Sequence, residues 1–214
     1  KILAAPYNLK RAIIDKINRE IEHQKQGRGG LIQMKMNALE DADITRALYK
    51  AGRAGVQIDL IIRDTCRFRP GLPGISERAR VVSIVGRFLE HGRIIYFRNG
   101  GVEEYYIGSA DMMGRNLDSR VEVHAPVENP ELRQDLRLIL DVQFADMRSA
   151  WEMDATGHYT QRTTEDDSKK GAQETLIGVA EKRLAAAAKH KEKKVRSKLL
   201  SHFQWRLRDK NPSV

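Results

Sequence analysis

Two apolar runs, LIQMKM at 31–36 and VQIDLII at 56–62, bracket a segment with helical spacing, and no other feature narrows the fold as much. The second run is nearly unbroken in isoleucine, leucine and valine, the pattern of a strand covered on both faces. Between the runs, Asp41 and Asp43 suit a helix start, Ile44, Ala47 and Leu48 share one helical face, and Gly52 and Gly55 close the segment. Strand, helix, strand in that order implies parallel strands joined by a right-handed crossover.

The flanking sequence extends this core. A short apolar strand opens the chain, followed by a helix capped at or near Asn8, with Leu9, Ile13, Ile17 and Ile21 spaced by fours and Gly27, Gly29 and Gly30 ending it. Downstream, TCRFRPGLPGIS is a loop, RVVSIV a strand and GRFLEHG a short turn. RIIYF and EEYYIG flank Asn99-Gly100-Gly101, a hairpin signal. SRVEVHAPV reads as another strand, and Asn129-Pro130 opens a helix that runs through ELRQDLRLILDVQFADMRSAW. The expected body is therefore α/β with a mixed sheet, over 1–159. A polar linker at 160–171 and a basic helical tail at 172–214 follow, the tail carrying Val195, Leu199, Phe203 and Leu207 on one stripe.

Composition excludes several classes. The one cysteine, Cys66, rules out an internal disulfide framework and fits a reducing compartment, hence a cytoplasmic location. No apolar run is long enough to span a bilayer as a helix. The chain opens at Lys1 rather than methionine and reads as a piece of a longer protein. Its net charge is +9, but residues 181–214 hold 11 Lys and Arg against 3 Asp and Glu, leaving 27 against 26 in the other 180. The body is nearly neutral, so any cationic site within it must be local.

Such a site is suggested by GRFLEHGRIIYFRNG at 86–100 and YYIGSADMMGRNLDSRVEV at 105–123. Phosphoryl and phosphodiester chemistry needs positive donors around non-bridging oxygens and an acid or base near the attacking or departing oxygen. His91 suits the second task and Arg93, two positions on along an extended backbone, the first. Ser109 and Asn116 add hydrogen-bond donors, Arg63 ends the central strand, and Asn37 directly follows its neighbour. The carboxyl edge of an open α/β sheet is the usual binding edge.

In this order the residues resemble the second half-site of the phospholipase D superfamily, His-x-Lys followed by Gly-Ser-x-Asn. Arg93 replaces its lysine, Arg98 stands where aspartate is frequent, and Asp111 where asparagine is. One branch accommodates these departures. The string from IRDTCRFRPGLPGIS through GRFLEHGRIIYFRNGG to YYIGSADMMGRNLDSRVEV is similar to the C-terminal domain of bacterial polyphosphate kinases, from about residue 2 to AQE at 172–174 and including WEMDATGHYTQR. The resemblance implies a phospholipase D-like mixed sheet flanked by helices, with a helical extension beyond it. It also implies reversible transfer of the γ-phosphate of ATP to polyphosphate through a phosphohistidine in a preceding domain. His91 would then be the second active-site histidine, acting as general acid/base or holding phosphates. Arg63 would contact nucleotide phosphates, with Arg93, Ser109, Asn116, Arg120 and Asn37 beside it, and Glu122 would orient His91. Mg²⁺ would bridge substrate oxygens, with ligands outside this segment. The partners implied are ATP or ADP, inorganic polyphosphate, the preceding domains and further copies of the full-length chain. Nucleic acid is not expected, and association with a membrane surface is not predicted.

Each residue also has a plainer use. Ser109 and Asn116 suit turn caps, Asn37 a turn, Glu122 a cross-strand pair with an arginine, and Asp111 a support for its loop; Arg115 and Arg120 are individually ambiguous, and Cys66 reads as a small buried filler. His23, His124, His158, His190 and His202 lack comparable neighbours. Two rival functions remain open: a phosphodiesterase or nuclease half-site completed by dimerisation, and a non-catalytic polyanion-binding module that relies on the tail.

Overall fold

A computed structural model of the chain describes residues 1–208, with side chains described through residue 189 and at Lys191. The stripe of Val195, Leu199, Phe203 and Leu207 lies outside the described side chains. The chain divides into a compact unit, Lys1–Gln173, and a second, Glu174–Val214.

The crossover anticipated from sequence forms the centre of the first unit. Strand β2 (Leu31–Met36) leads through helix α2 (Ala42–Arg53) to β3 (Gln57–Ile62), and the two strands pair in parallel from Leu31–Gln57 to Met36–Ile62. Strand β4 (Ala79–Ile84) joins β3 in parallel, while β5 (Ile94–Phe97) pairs antiparallel with β2. Strands β6 (Glu104–Gly108) and β7 (Glu122–Pro126) continue antiparallel beyond β5, and β1 (Leu3–Ala5) closes that side. With β8 (Ala150–Met153) and β9 (Tyr159–Gln161), the sheet has nine strands in the order β1-β7-β6-β5-β2-β3-β4-β8-β9.

Helices cover both faces. Helix α1 (Leu9–Lys25) buries Leu9, Ile13, Ile17 and Ile21, the four residues spaced by fours, with α2 against Ile32, Met34, Ile58 and Leu60. Each fully buried residue of this kind contributes about 1.5–3 kcal/mol. Asn8 occupies the N-cap position of α1, but its side chain accepts from Ala4 N at 2.8 Å rather than from the helix amides. Asp41 does cap α2, accepting from Asp43 N and Ile44 N at 3.0 Å each. On the opposite face, helix α3 (Pro130–Phe144) sets Leu140 and Phe144 against Ile61, Val82, Ile84 and Tyr96.

The alternate residues of LIQMKM show why that strand mixes polar and apolar positions. Ile32, Met34 and Met36 enter the core under α1 and α2, whereas Gln33 and Lys35 are buried with their polar groups satisfied. Gln33 donates to Asp59 at 2.8 Å and accepts from Arg137 at 2.6 Å, and Lys35 donates to Glu90 at 2.8 Å.

The end of the body differs from the sequence reading. Helix α3 stops at Phe144, and Ala150–Met153, which had been expected to continue it through Trp151, is the strand β8 paired with β4. Buried Asp146 turns the chain, its Oδ1 accepting from Arg148 N and Ser149 N and its Oδ2 from Ala172 N. Strand β9 reaches into the segment read as a linker, and the compact unit extends to Gln173. Helix α4 (Ala172–Arg208) begins on that unit; among the described residues the second unit is the rest of this helix. Among the described residues no helix is long and apolar enough to cross a membrane.

Candidate functional site

The parallel register places the residues after β2 and β3 side by side at one edge of the sheet. Asp64 N donates to Asn37 O at 2.9 Å, and Arg63 Nε donates to Asn37 Oδ1 at 2.8 Å. Strand β6 ends at the same edge and β5 begins there, because Ile94 pairs with both Lys35 and Ile107. The loops carrying His91, Arg93 and Asp111 therefore meet the ends of β2 and β3.

Asp111 joins them. Its carboxylate accepts from Asn37 N at 2.7 Å, Asn37 Nδ2 at 3.0 Å, Arg93 Nε at 3.2 Å and Arg93 Nη2 at 2.9 Å. The last two form the forked geometry that guanidinium and carboxylate share. Burial pushes the Asp111 carboxyl up, but the bonds from Arg93 and Asn37 outweigh it and hold the group below its ordinary value. Arg93 Nη1 reaches the exposed imidazole of His91, 3.2 Å from Nδ1 and 3.4 Å from Nε2, and donates to His91 O at 3.0 Å. A guanidinium only donates, so the ring nitrogen it serves accepts. A continuous chain of bonds thus runs from Arg63 through Asn37, Asp111 and Arg93 to His91.

This arrangement sorts the expected residues. Most donors of Arg93 are engaged by Asp111 and His91, and Asn37 couples Arg63 to Asp111, so both hold other site groups in place. Arg63 is different. Among the described residues its protein hydrogen bond uses only Nε, and its side chain lines a cavity of about 210 Å³ with Asp64, Ser83, Val85, Trp151 and Tyr159. His91, which is exposed but does not line this cavity, and Arg63, which does, are the groups best placed to meet an anion.

Ser109, Asn116, Arg120 and Glu122 form a second cluster. Buried Asn116, carried inward by a single π-type turn at Arg115–Ser119, donates to Glu122 Oε1 at 2.9 Å. Arg120 Nη1 lies 3.9 Å from the same oxygen. The Ser109 hydroxyl, followed by Asn116 and the charges of Arg120 and Arg93, holds the Glu122 carboxyl below its ordinary value against the opposing effect of burial. Glu122 was expected to orient His91. It binds Asn116 instead, and the protein partner of the His91 ring is Arg93. Ser109 Oγ also accepts from Val123 N at 3.3 Å, so Ser109 and Asn116 both have structural partners.

Two further parts of the site escaped the sequence reading. His124 is fully buried, its Nε2 3.1 Å from Ala110 O and its Nδ1 without a partner among the described residues. Burial pushes its pKa down. It sits across from Gly108, where an added Cβ would lie 2.3 Å from Val123 O and 2.6 Å from the His124 ring, so the glycine of the Gly-Ser pair admits both that carbonyl and the imidazole. That pairing is the one sequence signal for His124, and it appears only once the register is known. The second part is Glu90, which precedes His91 and accepts from Lys35, Gln143 and Gln173 at 2.8 Å each. Cys66, the expected filler, is partly buried, with Sγ 3.2 Å from Phe68 O and its thiol pushed up by burial to about 11.

The family profile described as polyphosphate kinase C-terminal domain 2 matches residues 2–173, nearly the whole of the first compact unit. The chain belongs to the polyphosphate kinase family. A polyphosphate kinase from Synechocystis is 54% identical over 162 residues, covering 76% of this chain and 22% of the relative. One from Chlorobaculum tepidum is 50% identical over 159 residues, covering 74% and 23%. The crystal structure of polyphosphate kinase from Porphyromonas gingivalis superposes with a TM-score of 0.82 at 39% identity, over 86% of this chain and 28% of that one. The chain thus spans about a quarter of the length of the polyphosphate kinases it matches. A phospholipase D family member, Nuc from Salmonella typhimurium, shares the fold, with a TM-score of 0.50 at 15% identity over 72% of this chain and 97% of that one. The polyphosphate kinase domain is thus a phospholipase D-like mixed sheet flanked by helices.

Proposed function

We propose that this domain forms one wall of a polyphosphate kinase active site, in a full-length protein that moves the γ-phosphate of ATP reversibly onto polyphosphate. The observation that carries the reading is the bonded chain from Arg63 to His91 along the carboxyl edge of the sheet. Arg63 supplies a planar cation for phosphate oxygens. His91, held through Arg93, gives or takes a proton at the transferred group or holds its oxygens. The phosphorylated histidine belongs to a preceding domain, so the domain by itself has no turnover. Substrates are ATP or ADP and polyphosphate, and further copies of the full-length chain complete the assembly.

Mg²⁺ enters this reading as part of the nucleotide substrate. Among the described residues no group of three or more His, Cys, Asp or Glu is placed to hold a metal ion, and the Asp111 carboxylate is engaged by Asn37 and Arg93. The described site residues do not fit a resident metal.

Replacing His91 by alanine in the full-length enzyme tests the assignment. Loss of synthesis by about 10²- to 10⁴-fold is expected, the range for removing a general acid or base. Unchanged synthesis and unchanged ATP formation from polyphosphate would refute it. Release from a phosphodiester substrate by this domain would favour the nuclease reading instead.

A further inference from the structure

We propose that Gln173 is a positioning residue for His91, acting through Glu90 and the backbone of Phe88. The proposal rests on the role assigned to His91 above. The segment between β4 and β5 has no regular structure and leaves Val85, Phe88 and Leu89 exposed by 62%, 52% and 72%. Its own apolar side chains therefore do not hold it down. Gln173 does. Its Oε1 accepts from Phe88 N at 2.9 Å, and its Nε2 donates to Phe88 O at 2.7 Å and to Glu90 Oε1 at 2.8 Å. The side-chain amide thus meets Phe88 as a neighbouring strand would, satisfying both backbone groups of one residue.

Glu90 completes the clamp from two other directions. Lys35, buried in β2, and Gln143, buried in α3, each donate to its Oε2 at 2.8 Å. Burial pushes the Glu90 carboxyl up, yet the bonds from Lys35, Gln173 and Gln143 hold it below its ordinary value. The carboxylate is therefore charged at neutral pH and accepts from all three. Strand β2, helix α3 and the first turn of α4 all fix the residue immediately before His91.

The approach of Gln173 is itself built in. A Cβ at position 86 would lie 2.5 Å from Gln173 Oε1, so glycine there makes room for the amide. From behind, Ala172 N donates to Asp146 Oδ2 at 2.7 Å and secures the start of the helix. Gln173 is only 9% exposed. A polar side chain buried to this extent and bonded at both ends of its amide tolerates no apolar replacement without releasing the loop.

The experiment uses the full-length enzyme carrying Gln173→Leu, with Gln173→Glu as a second variant that keeps the size but sets a carboxylate against Glu90. Amide hydrogen exchange over 85–92 reads the clamp without reference to activity, and kcat and KM read its consequence. About tenfold faster exchange is expected, with kcat lower by about 10- to 100-fold and KM within about twofold, the signature of a displaced catalytic group. The thermal midpoint should stay close to wild type, because the loop carries little of the core. Wild-type exchange in either folded variant would overturn the proposal, as would wild-type kcat while His91→Ala is inactive. Full activity of His91→Ala would instead sink the underlying assignment, and faster exchange in Gln173→Leu would then identify a clamp without a catalytic purpose.

Discussion

Asp111 brings a negative charge to a candidate site that is proposed to bind anions, and its bonds explain why that is tolerable. Arg93 neutralises it in forked geometry, and Asn37 takes its remaining capacity, so the charge is directed inward to hold donors in place. His124, in the strand beside it, has the opposite constraint. Its burial favours the neutral ring, so the folded pKa lies below the ordinary histidine value of about 6.5. The unfolded chain then binds the proton first as pH falls, and stability present above that value is lost as pH drops toward the folded pKa. Urea midpoints should decline as pH falls below about 6.5 in the wild type and decline less in His124→Gln. Equal slopes would show that another group titrates there.

At the scale of elements, the turn after α3 decides how the sheet ends. Asp146 suits this role, because it is 2% exposed and serves three backbone amides, two in the turn that follows it and one 26 positions on at Ala172. One carboxylate thereby stops the helix, starts β8 and secures the beginning of α4. Asp146→Ala should cost about 2–3 kcal/mol, the penalty for leaving buried donors without a charged acceptor. Urea denaturation followed by tryptophan fluorescence, with Trp205 replaced by phenylalanine so that Trp151 alone reports, measures it. Asp146→Asn, which keeps one acceptor oxygen, should lose less. The sheet's outer strands, β1 and β9, are only three residues each, which leaves little open edge for another chain to pair with.

For the whole molecule, the boundary falls inside a helix rather than in a linker. Ala172 and Gln173 belong to the first compact unit although they open α4. Truncation after Gln173 should therefore preserve the urea midpoint of that unit, whereas truncation after Gly171 should lower it by removing the bond from Ala172 N to buried Asp146. Circular dichroism and urea titration of the two chains compare them directly. The charge split follows the same division: the first unit is close to neutral overall, and the basic excess lies almost entirely in 181–214. Cationic groups at the candidate site thus act locally, not through a general positive field.

Local pattern was enough for the central crossover, the hairpin at Asn99, the stripe of α1 and the residue types of the site, since periodicity and turn chemistry act over a few neighbours. It also marked His91 and Arg63 as residues to bring together, but not the bonds that do so. Those bonds join Asn37 to Asp111 across 74 positions and Gln173 to Glu90 across 83, distances that leave no periodic trace in the chain. Only the folded sheet turned Glu122 toward Asn116, buried His124 opposite Gly108, and made a strand of Ala150–Met153. A side chain's neighbours within a turn or a strand follow from sequence; its partner across the sheet is fixed by register and burial.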